Sequence, residues 1–393
     1  MKILIASGGT GGHLYPALAL ADALKEKDDH AQVVLVGSEE GMEVRIVPPR
    51  GFPLRLLKVR SFSSRPSLRW FFSGFLLMVA LIKSGLIIRQ EKPDLVMGFG
   101  GYVSAPVLLC ALLERKRTAI HEQNVVPGRT NRILAPFVDL VCLSFEESRS
   151  YFRKARKMVC TGNPVRFREK SPDRDQARTE LGLDRRRFTV GVMGGSQGAR
   201  SINAAALKVY ERLRDRSDLQ MLHITGRGHF AEVENELDII KERKGGALYR
   251  IFPYMEEMNL FYQACDVVVA RSGATTVAEI SFFGLPAILI PYPYATQDHQ
   301  RLNAEVLANK GAALVILDKD LKGEILAQKI RELMEGRGGY EEMQKRAREM
   351  GWSPSPPPSP HGQYEEMQKR AREMGAGNAG ERMVEALLEL TFQ

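Results

Sequence analysis

The chain has 393 residues, 44% of them hydrophobic and 26% charged, a globular composition that excludes a disordered or fibrous protein and a length that calls for two or three domains. Cys110, Cys142, Cys160 and Cys265 lie far apart with no CxxC pair, which excludes a zinc ribbon or a disulfide scaffold and fits buried free thiols in a reducing compartment. The net charge of +9 sits wholly in the first part: residues 1–163 carry 23 Lys and Arg against 14 Asp and Glu, whereas residues 164–393 carry 33 of each. Such asymmetry calls for a polyanionic partner of the first half, either nucleic acid or an anionic membrane.

The apolar run at residues 3–6 ends in a glycine loop, far short of the roughly 7–15 residues of a secretory signal core, so no signal peptide is expected. Short apolar runs at 2–6, 32–36, 95–97, 118–121 and 140–143 read as strands, with a helix over 15–27 between the first two. Alternation of this kind specifies a parallel sheet covered by helices. Gly162 and Pro164 break the pattern. Strands then restart at 188–193, 219–224, 267–270 and 287–290. The expected architecture is α/β, with two doubly wound, Rossmann-like domains facing each other across a cleft. The tail departs from this: YEEMQKRAREMG at 340–351 recurs letter for letter at 364–375, around the Ser/Pro segment 352–363. Two copies make no solenoid, and the intervening segment reads as an extended linker.

Three glycine loops carry the chemistry. Residues 7–13, Ser-Gly-Gly-Thr-Gly-Gly-His, follow the first strand and open the first helix, where backbone amides and the helix dipole favour negative charge. The loop does not fit GxGxxG, since His13 stands where a third glycine would fall, and no P-loop pattern occurs. Residues 194–200, GGSQGAR, repeat the arrangement after the first strand of the second half. Residues 271–279, RSGATTVAE, repeat it again, with Glu279 early in a helix where a carboxylate can accept from a ribose diol. Asp173 with Asp175, and Asp318 with Asp320, form Asp-x-Asp pairs in charged contexts and read as solvated surface, so neither a metal nor a cofactor is expected. The run 70–82, WFFSGFLLMVALI, is too short for a bilayer span of about 20 residues. With Arg65, Arg69, Lys83 and Arg89 around it, it suits an anionic bilayer interface.

In order along the chain, GGTGGH (8–13), GFGGY (98–102), HEQN (121–124), GNPVR (162–166), GGSQGAR (194–200), RSGATTVAE (271–279) and DHQRLNA (298–304) resemble the MurG family of peptidoglycan GlcNAc-transferases, which are GT-B glycosyltransferases. The resemblance implies inverting transfer of N-acetylglucosamine from UDP-GlcNAc to the C4 hydroxyl of a lipid-linked muramyl-pentapeptide, at the cytoplasmic face of the bacterial plasma membrane. It assigns residues 1–163 to the acceptor and the membrane, and 164–378, containing the duplicated segment 339–376, to the UDP-sugar. Residues 379–393 are expected to form a C-terminal helix that packs back on the first domain. By motif match, Arg166 and Ser196 contact the diphosphate, Glu279 the ribose, the backbone of Met255 the uracil, Ala274, Thr275 and Thr276 the phosphates, and Gln300 and Asn303 the sugar. Thr10, Gly11, Gly12 and Asn124 reach the substrates from the first domain. A general base is required for inversion, and His13 and Glu122 are the two candidates. The rivals are a UDP-sugar epimerase of similar build and a nucleotide-binding module that holds nucleic acid. No helix-turn-helix or aromatic-rich basic element supports a nucleic-acid partner.

Overall fold

The computed structural model describes residues 1–59, 69–167, 172–241, 246–334 and 379–392; the side chains of 69–75 and 392 fall outside that description. Two compact units result. One holds the described residues of Met1–Arg166 and Gly377–Gln393, the other those of Phe167–Ala376. The repeat at 340–351 and 364–375, the Ser/Pro segment between its copies, and Arg65 lie outside the described residues.

The first unit is built on seven parallel strands: β1 (Lys2–Ala6), β2 (Gln32–Ser38), β3 (Leu54–Leu57), β4 (Leu95–Gly98), β5 (Arg117–Glu122), β6 (Leu140–Leu143) and β7 (Met158–Cys160). Their order in the sheet is β3-β2-β1-β4-β5-β6-β7. Helices α1 (Gly11–Lys27), α2 (Glu43–Ile46), α3 (Arg69–Glu91), α4 (Gly101–Leu113) and α5 (Arg129–Leu134) connect them. The second unit has six parallel strands, β8 (Phe188–Met193), β9 (Leu219–Ile224), β10 (Leu248–Phe252), β11 (Val267–Ala270), β12 (Ala287–Leu289) and β13 (Ala313–Val315), in the order β10-β9-β8-β11-β12-β13. Its helices are α6 (Arg174–Glu180), α7 (Arg200–Leu213), α8 (Phe230–Lys241), α9 (Met258–Ala264), α10 (Ala274–Phe283), α11 (His299–Asn309) and α12 (Gly323–Met334); a last helix, α13 (Ala379–Phe392), belongs to the first unit.

Each sheet is covered on both faces, which is why its central strands read as unbroken apolar runs. In β1 the side chains alternate: Ile3 and Ile5 meet Leu14 and Leu18 of α1 on one face, while Leu4 and Ala6 share the other core with Val103 and Val107 of α4. The strands not anticipated from the sequence, β3, β7, β10 and β13, are the two edges of each sheet. They are short or mixed in polarity (LRLL, MVC, LYRIF, ALV), because an edge strand has only one neighbour and is only part-buried. Helix α1 starts four residues earlier than the apolar pattern indicates, at Gly11, since a glycine-rich first turn carries no periodicity. Cys110, Cys142 and Cys265 are buried free thiols and Cys160 is half-buried.

Helix α13 closes the α1 face of the first sheet. Met383, Val384, Leu387 and Leu390 join the core of Ile3, Ile5, Leu14 and Leu18, Arg382 Nε donates to Thr161 O at 3.1 Å, and Lys157 pairs with Glu389 at 3.2 Å. Replacing the fully buried Leu387 with Ala should therefore cost about 2–5 kcal/mol of the first unit's stability. Chemical denaturation of the two proteins measures this, and a loss below about 0.5 kcal/mol, the size of a neutral surface change, would show that α13 is not part of that core.

Candidate active site

The strand order of the first sheet reverses between β1 and β4, and ligands of doubly wound sheets bind outside the carboxyl ends of the strands at such a reversal. The loop from Ser7 to Thr10 lies there. Thr10 is the N-cap of α1, with extended backbone (φ −146°, ψ 157°) and no capping bond from its side chain, so the first amides of the helix at Gly11 and Gly12 are not satisfied by that hydroxyl. The loop after β4 presses against it. A Cβ at Gly101, whose φ is +75°, would stand 2.8 Å from the Gly8 carbonyl oxygen, and one at Gly9, φ +95°, would stand 2.9 Å from the Tyr102 ring. The Ser104 hydroxyl lies 2.9 Å from Ala6 O and 2.7 Å from Gly100 O, fastening β1 to the start of α4.

His13, in the first turn of α1, places Nδ1 3.0 Å from Gln123 Oε1 in the loop after β5. That loop is organised by Glu122, which is 1% exposed. Its Oε1 accepts from the Asn124 N–H at 3.0 Å, and its Oε2 accepts from the Gly128 N–H at 3.0 Å and from Asn131 Nδ2 at 2.9 Å. Burial pushes the Glu122 carboxyl above the usual carboxylate range, against the pull of those hydrogen bonds. Asn124 is half-buried and its carbonyl accepts from Ser148 Oγ at 3.1 Å. Arg166 falls in the first unit, its guanidinium 5.1 Å from the centre of the Tyr15 ring on α1.

The second sheet reverses between β8 and β11, and both of its glycine loops sit at that point. Between β8 and α7, a Cβ at Gly194 would lie 2.2 Å from Ala199 N, and one at Gly198, φ +78°, 2.1 Å from Thr225 O. Ser196 and Gln197 are thereby held exposed at the tip. After β11, Arg271 pairs with Asp318 at 2.6 Å and donates to Ile290 O, Pro291 O and Ser201 Oγ at 3.2, 3.1 and 3.1 Å. Ser272 Oγ donates to Gln300 O at 2.8 Å, and Asn303 Nδ2 donates to Ser272 O at 3.2 Å, so the starts of α10 and α11 are tied together. Gln300 Oε1 accepts from the Tyr292 N–H at 3.0 Å.

Ala274, Thr275 and Thr276 are the first residues of α10, whose N-cap Gly273 offers no side-chain cap, and Thr275 Oγ1 is buried without a hydrogen-bond partner. Glu279 lies one turn further along, buried, with Oε2 accepting from the Tyr262 hydroxyl at 2.8 Å. Met255 is half-buried in the loop from β10 to α9. In the second unit, then, Ser196, Ala274, Thr275, Thr276, Gln300 and Asn303 follow the carboxyl ends of the strands, while the first unit gathers Thr10, Gly11, Gly12, His13, Glu122 and Asn124.

The Asp-x-Asp pairs divide. Asp173 is the N-cap of α6, accepting from the Gln176 N–H at 2.7 Å. Asp318 is not the solvated surface charge its sequence context indicated: it is half-buried, bound to Arg271 and to Ser201 Oγ at 2.7 Å. Gln123, His121, Tyr262 and Arg271 were given no role from the sequence. The only available signal for Gln123 was its place in HEQN, one residue past a strand end.

These sites can be set beside known proteins. Residues 3–143 match the N-terminal domain of glycosyltransferase family 28, and residues 189–352 match the family's C-terminal domain. The chain belongs to glycosyltransferase family 28. Proteins of Halothermothrix orenii and Syntrophotalea carbinolica, each named UDP-N-acetylglucosamine--N-acetylmuramyl-(pentapeptide) pyrophosphoryl-undecaprenol N-acetylglucosamine transferase, are 42% and 44% identical to it, over 89% of this chain and 95% of theirs. The crystal structure of Acinetobacter baumannii MurG superposes with a TM-score of 0.70 at 28% identity, covering 95% of this chain and all of that one. A UDP-GlcNAc 2-epimerase from Neisseria meningitidis reaches a TM-score of 0.63 at 13% identity, over 99% of this chain and all of its own. That second likeness shows the fold alone.

Proposed function

We propose that this chain transfers N-acetylglucosamine from UDP-GlcNAc to the C4 hydroxyl of undecaprenyl-diphospho-N-acetylmuramyl-pentapeptide, with inversion, to form the β-1,4-linked disaccharide lipid of peptidoglycan synthesis. The observation that carries the reading is the 42–44% identity to transferases of that name across both units, against 13% for the epimerase. The site geometry supports it. Glycine loops at both sheet reversals offer backbone amides to polar ligands.

In this reading the donor binds the second unit. Glu279, oriented by Tyr262, takes the ribose hydroxyls, and the Met255 backbone takes the uracil. The amides of Ala274–Thr276, the Thr275 hydroxyl and Ser196 take the diphosphate, with Arg166 added from the first unit, while Gln300 and Asn303 take the sugar. As the bond from C1 to the diphosphate breaks, charge grows on the leaving UDP, and the N-terminus of α10 is directed at that charge. The acceptor binds the first unit, with Thr10, Gly11, Gly12 and Asn124 as contacts. Its C4 oxygen attacks C1 while His13 removes the hydroxyl proton. Glu122 spends its oxygens on the Asn124, Gly128 and Asn131 donors, which favours His13 as the base and leaves Glu122 the role of loop clasp.

The lipid acceptor also gives a role to the surface of the first unit. Met78, Ile82 and Leu86 recur at four-residue intervals along α3 and are 52%, 59% and 59% exposed; Leu109 and Leu113 on the adjoining α4 are 40% and 81% exposed. Lys83 and Arg89 stand beside this stripe, paired with Glu39 and Glu114. No described helix is long and apolar enough to cross a membrane. With a lipid-linked acceptor, the stripe is read as lying on the cytoplasmic face of the plasma membrane.

Incubation with labelled UDP-GlcNAc and a short-chain muramyl-lipid acceptor tests the reaction. A labelled disaccharide lipid is expected, with His13→Ala lowering kcat by about 10²–10⁴; an epimerised UDP-sugar, or an unchanged kcat in His13→Ala, would contradict the reaction or the base respectively. Co-sedimentation with vesicles containing anionic phospholipid tests the surface. Paired Ile82→Asp and Leu86→Asp substitutions should weaken binding at least about tenfold, and salt should weaken it further. Binding indifferent to both would contradict docking through α3.

A further inference from the structure

A chain of hydrogen bonds with one direction runs through the first unit from His13 to the end of β7. Its centre is Gln123, which is 1% exposed. Gln123 Nε2 lies 2.9 Å from the Phe99 carbonyl oxygen and 3.2 Å from that of His121. Two carbonyls at one end of an amide identify that end as the NH₂ group, because a carbonyl can only accept. The other end is therefore oxygen, and it lies 3.0 Å from His13 Nδ1. An amide oxygen also only accepts, so Nδ1 carries the hydrogen and the lone pair of the neutral ring is on Nε2.

The far side of the amide obeys the same logic. His121 is fully buried, and burial pushes its imidazole down to about 3, so the ring is neutral at physiological pH. Its Nε2 lies 3.1 Å from the Gly162 carbonyl oxygen, which requires Nε2–H. Its Nδ1 is then the acceptor, 3.2 Å from Gln123 Nε2. The two amide hydrogens of Gln123 serve the Phe99 carbonyl, the His121 carbonyl and His121 Nδ1. Gly162 is itself held, with φ +80° and space for a Cβ closed by Ala379 and Arg382 of α13 at 3.1 and 3.2 Å. Reversing any one bond of the series would set donor against donor or acceptor against acceptor.

We propose that Gln123 is a positioning residue that holds His13 as its Nδ1–H tautomer, with His121 and the Gly162 carbonyl fixing the amide that does so. The catalytic consequence rests on the reading of His13 as the base. A proton can be accepted only at a nitrogen with a lone pair, and Gln123 ensures that this nitrogen is Nε2. An unconstrained neutral histidine in water favours the opposite tautomer, with the hydrogen on Nε2, which cannot take a proton there. Protonation of Nε2 by the acceptor hydroxyl would also strengthen the Nδ1–H···Oε1 bond, because a charged donor bonds more strongly than a neutral one.

Long-range ¹H–¹⁵N spectra of the full chain with ¹⁵N-labelled histidine, at a pH where His13 is neutral, read the tautomer directly. The wild-type protein should show Nδ1 protonated and Nε2 bare at His13; the reverse pattern overturns the inference with no mutation needed. Gln123→Met, which fills similar volume without an acceptor oxygen, should move His13 toward Nε2–H. It should lower kcat about tenfold or more while KM for UDP-GlcNAc changes less than about twofold, short of the roughly 10²–10⁴ lost with the base itself. Gln123→Glu, whose carboxylic acid keeps a C=O acceptor for Nδ1–H and an O–H donor for the Phe99 carbonyl, should keep the tautomer and recover activity relative to Gln123→Met. Equal loss in the two variants with an unchanged His13 tautomer in both would overturn the inference. A His13→Ala variant that kept its kcat would remove the base assignment, while an Nδ1–H signal in the wild type would still uphold the role of Gln123.

Discussion

At the reversal point of each sheet, two backbone segments lie closer together than any side chain permits. A Cβ on Gly101 would meet the Gly8 carbonyl at 2.8 Å, and one on Gly198 would meet the Thr225 carbonyl at 2.1 Å. Real Cβ atoms do not sit that close to a carbonyl, so only glycine closes these contacts. Everything proposed for the site depends on this closeness. It brings the start of α1 beside the loop after β4, which puts His13 within reach of Gln123. In the second unit it holds Ser196 at the loop tip, beside the β11 loop whose Ser272 ties α10 to α11.

The two units use the same plan for different ends. In the second, polar groups are committed to shaping helix starts: Arg271 spans Asp318, Ser201 and two carbonyls, leaving the first amides of α10 without a side-chain cap. Such a site suits a charged diphosphate. In the first unit the polar groups are side chains arrayed around an imidazole, and buried glutamate and histidine shape the loop rather than face outward. That arrangement suits proton transfer. The epimerase with the same fold at 13% identity is a reminder that the sheets alone do not choose between these chemistries.

What could be read from the sequence follows from burial. Central strands such as β1, β8 and β11 are covered on both faces and announce themselves as apolar runs; β3, β7, β10 and β13, at the edges, do not. The glycine loops were legible because strand, glycines and helix occur in that order along the chain. Gln123 was not, although it stands inside a recognisable motif, because its function depends on Phe99, His121 and His13, which only folding brings together. Asp318 was misread for the same reason: its neighbours in sequence are charged and exposed, but its partner Arg271 lies 47 positions away. Within the apolar run at 70–82, Met78 and Ile82 are exposed while Ala80 is buried, and Leu86 continues the exposed face along α3, a distinction between core and surface that a run of uniformly apolar residues does not contain.

The central claim is a division of labour, with the nucleotide held by the second unit and the proton removed by the first. Calorimetric titration of UDP into the wild-type protein and into Glu279→Ala and His13→Ala variants tests it most directly. Loss of the Glu279 hydrogen bonds should cost roughly 1.5–3 kcal/mol, weakening UDP about 10- to 150-fold, while His13→Ala should leave the affinity within about twofold of wild type. Unchanged affinity in Glu279→Ala, or a comparable loss in His13→Ala, would contradict the account.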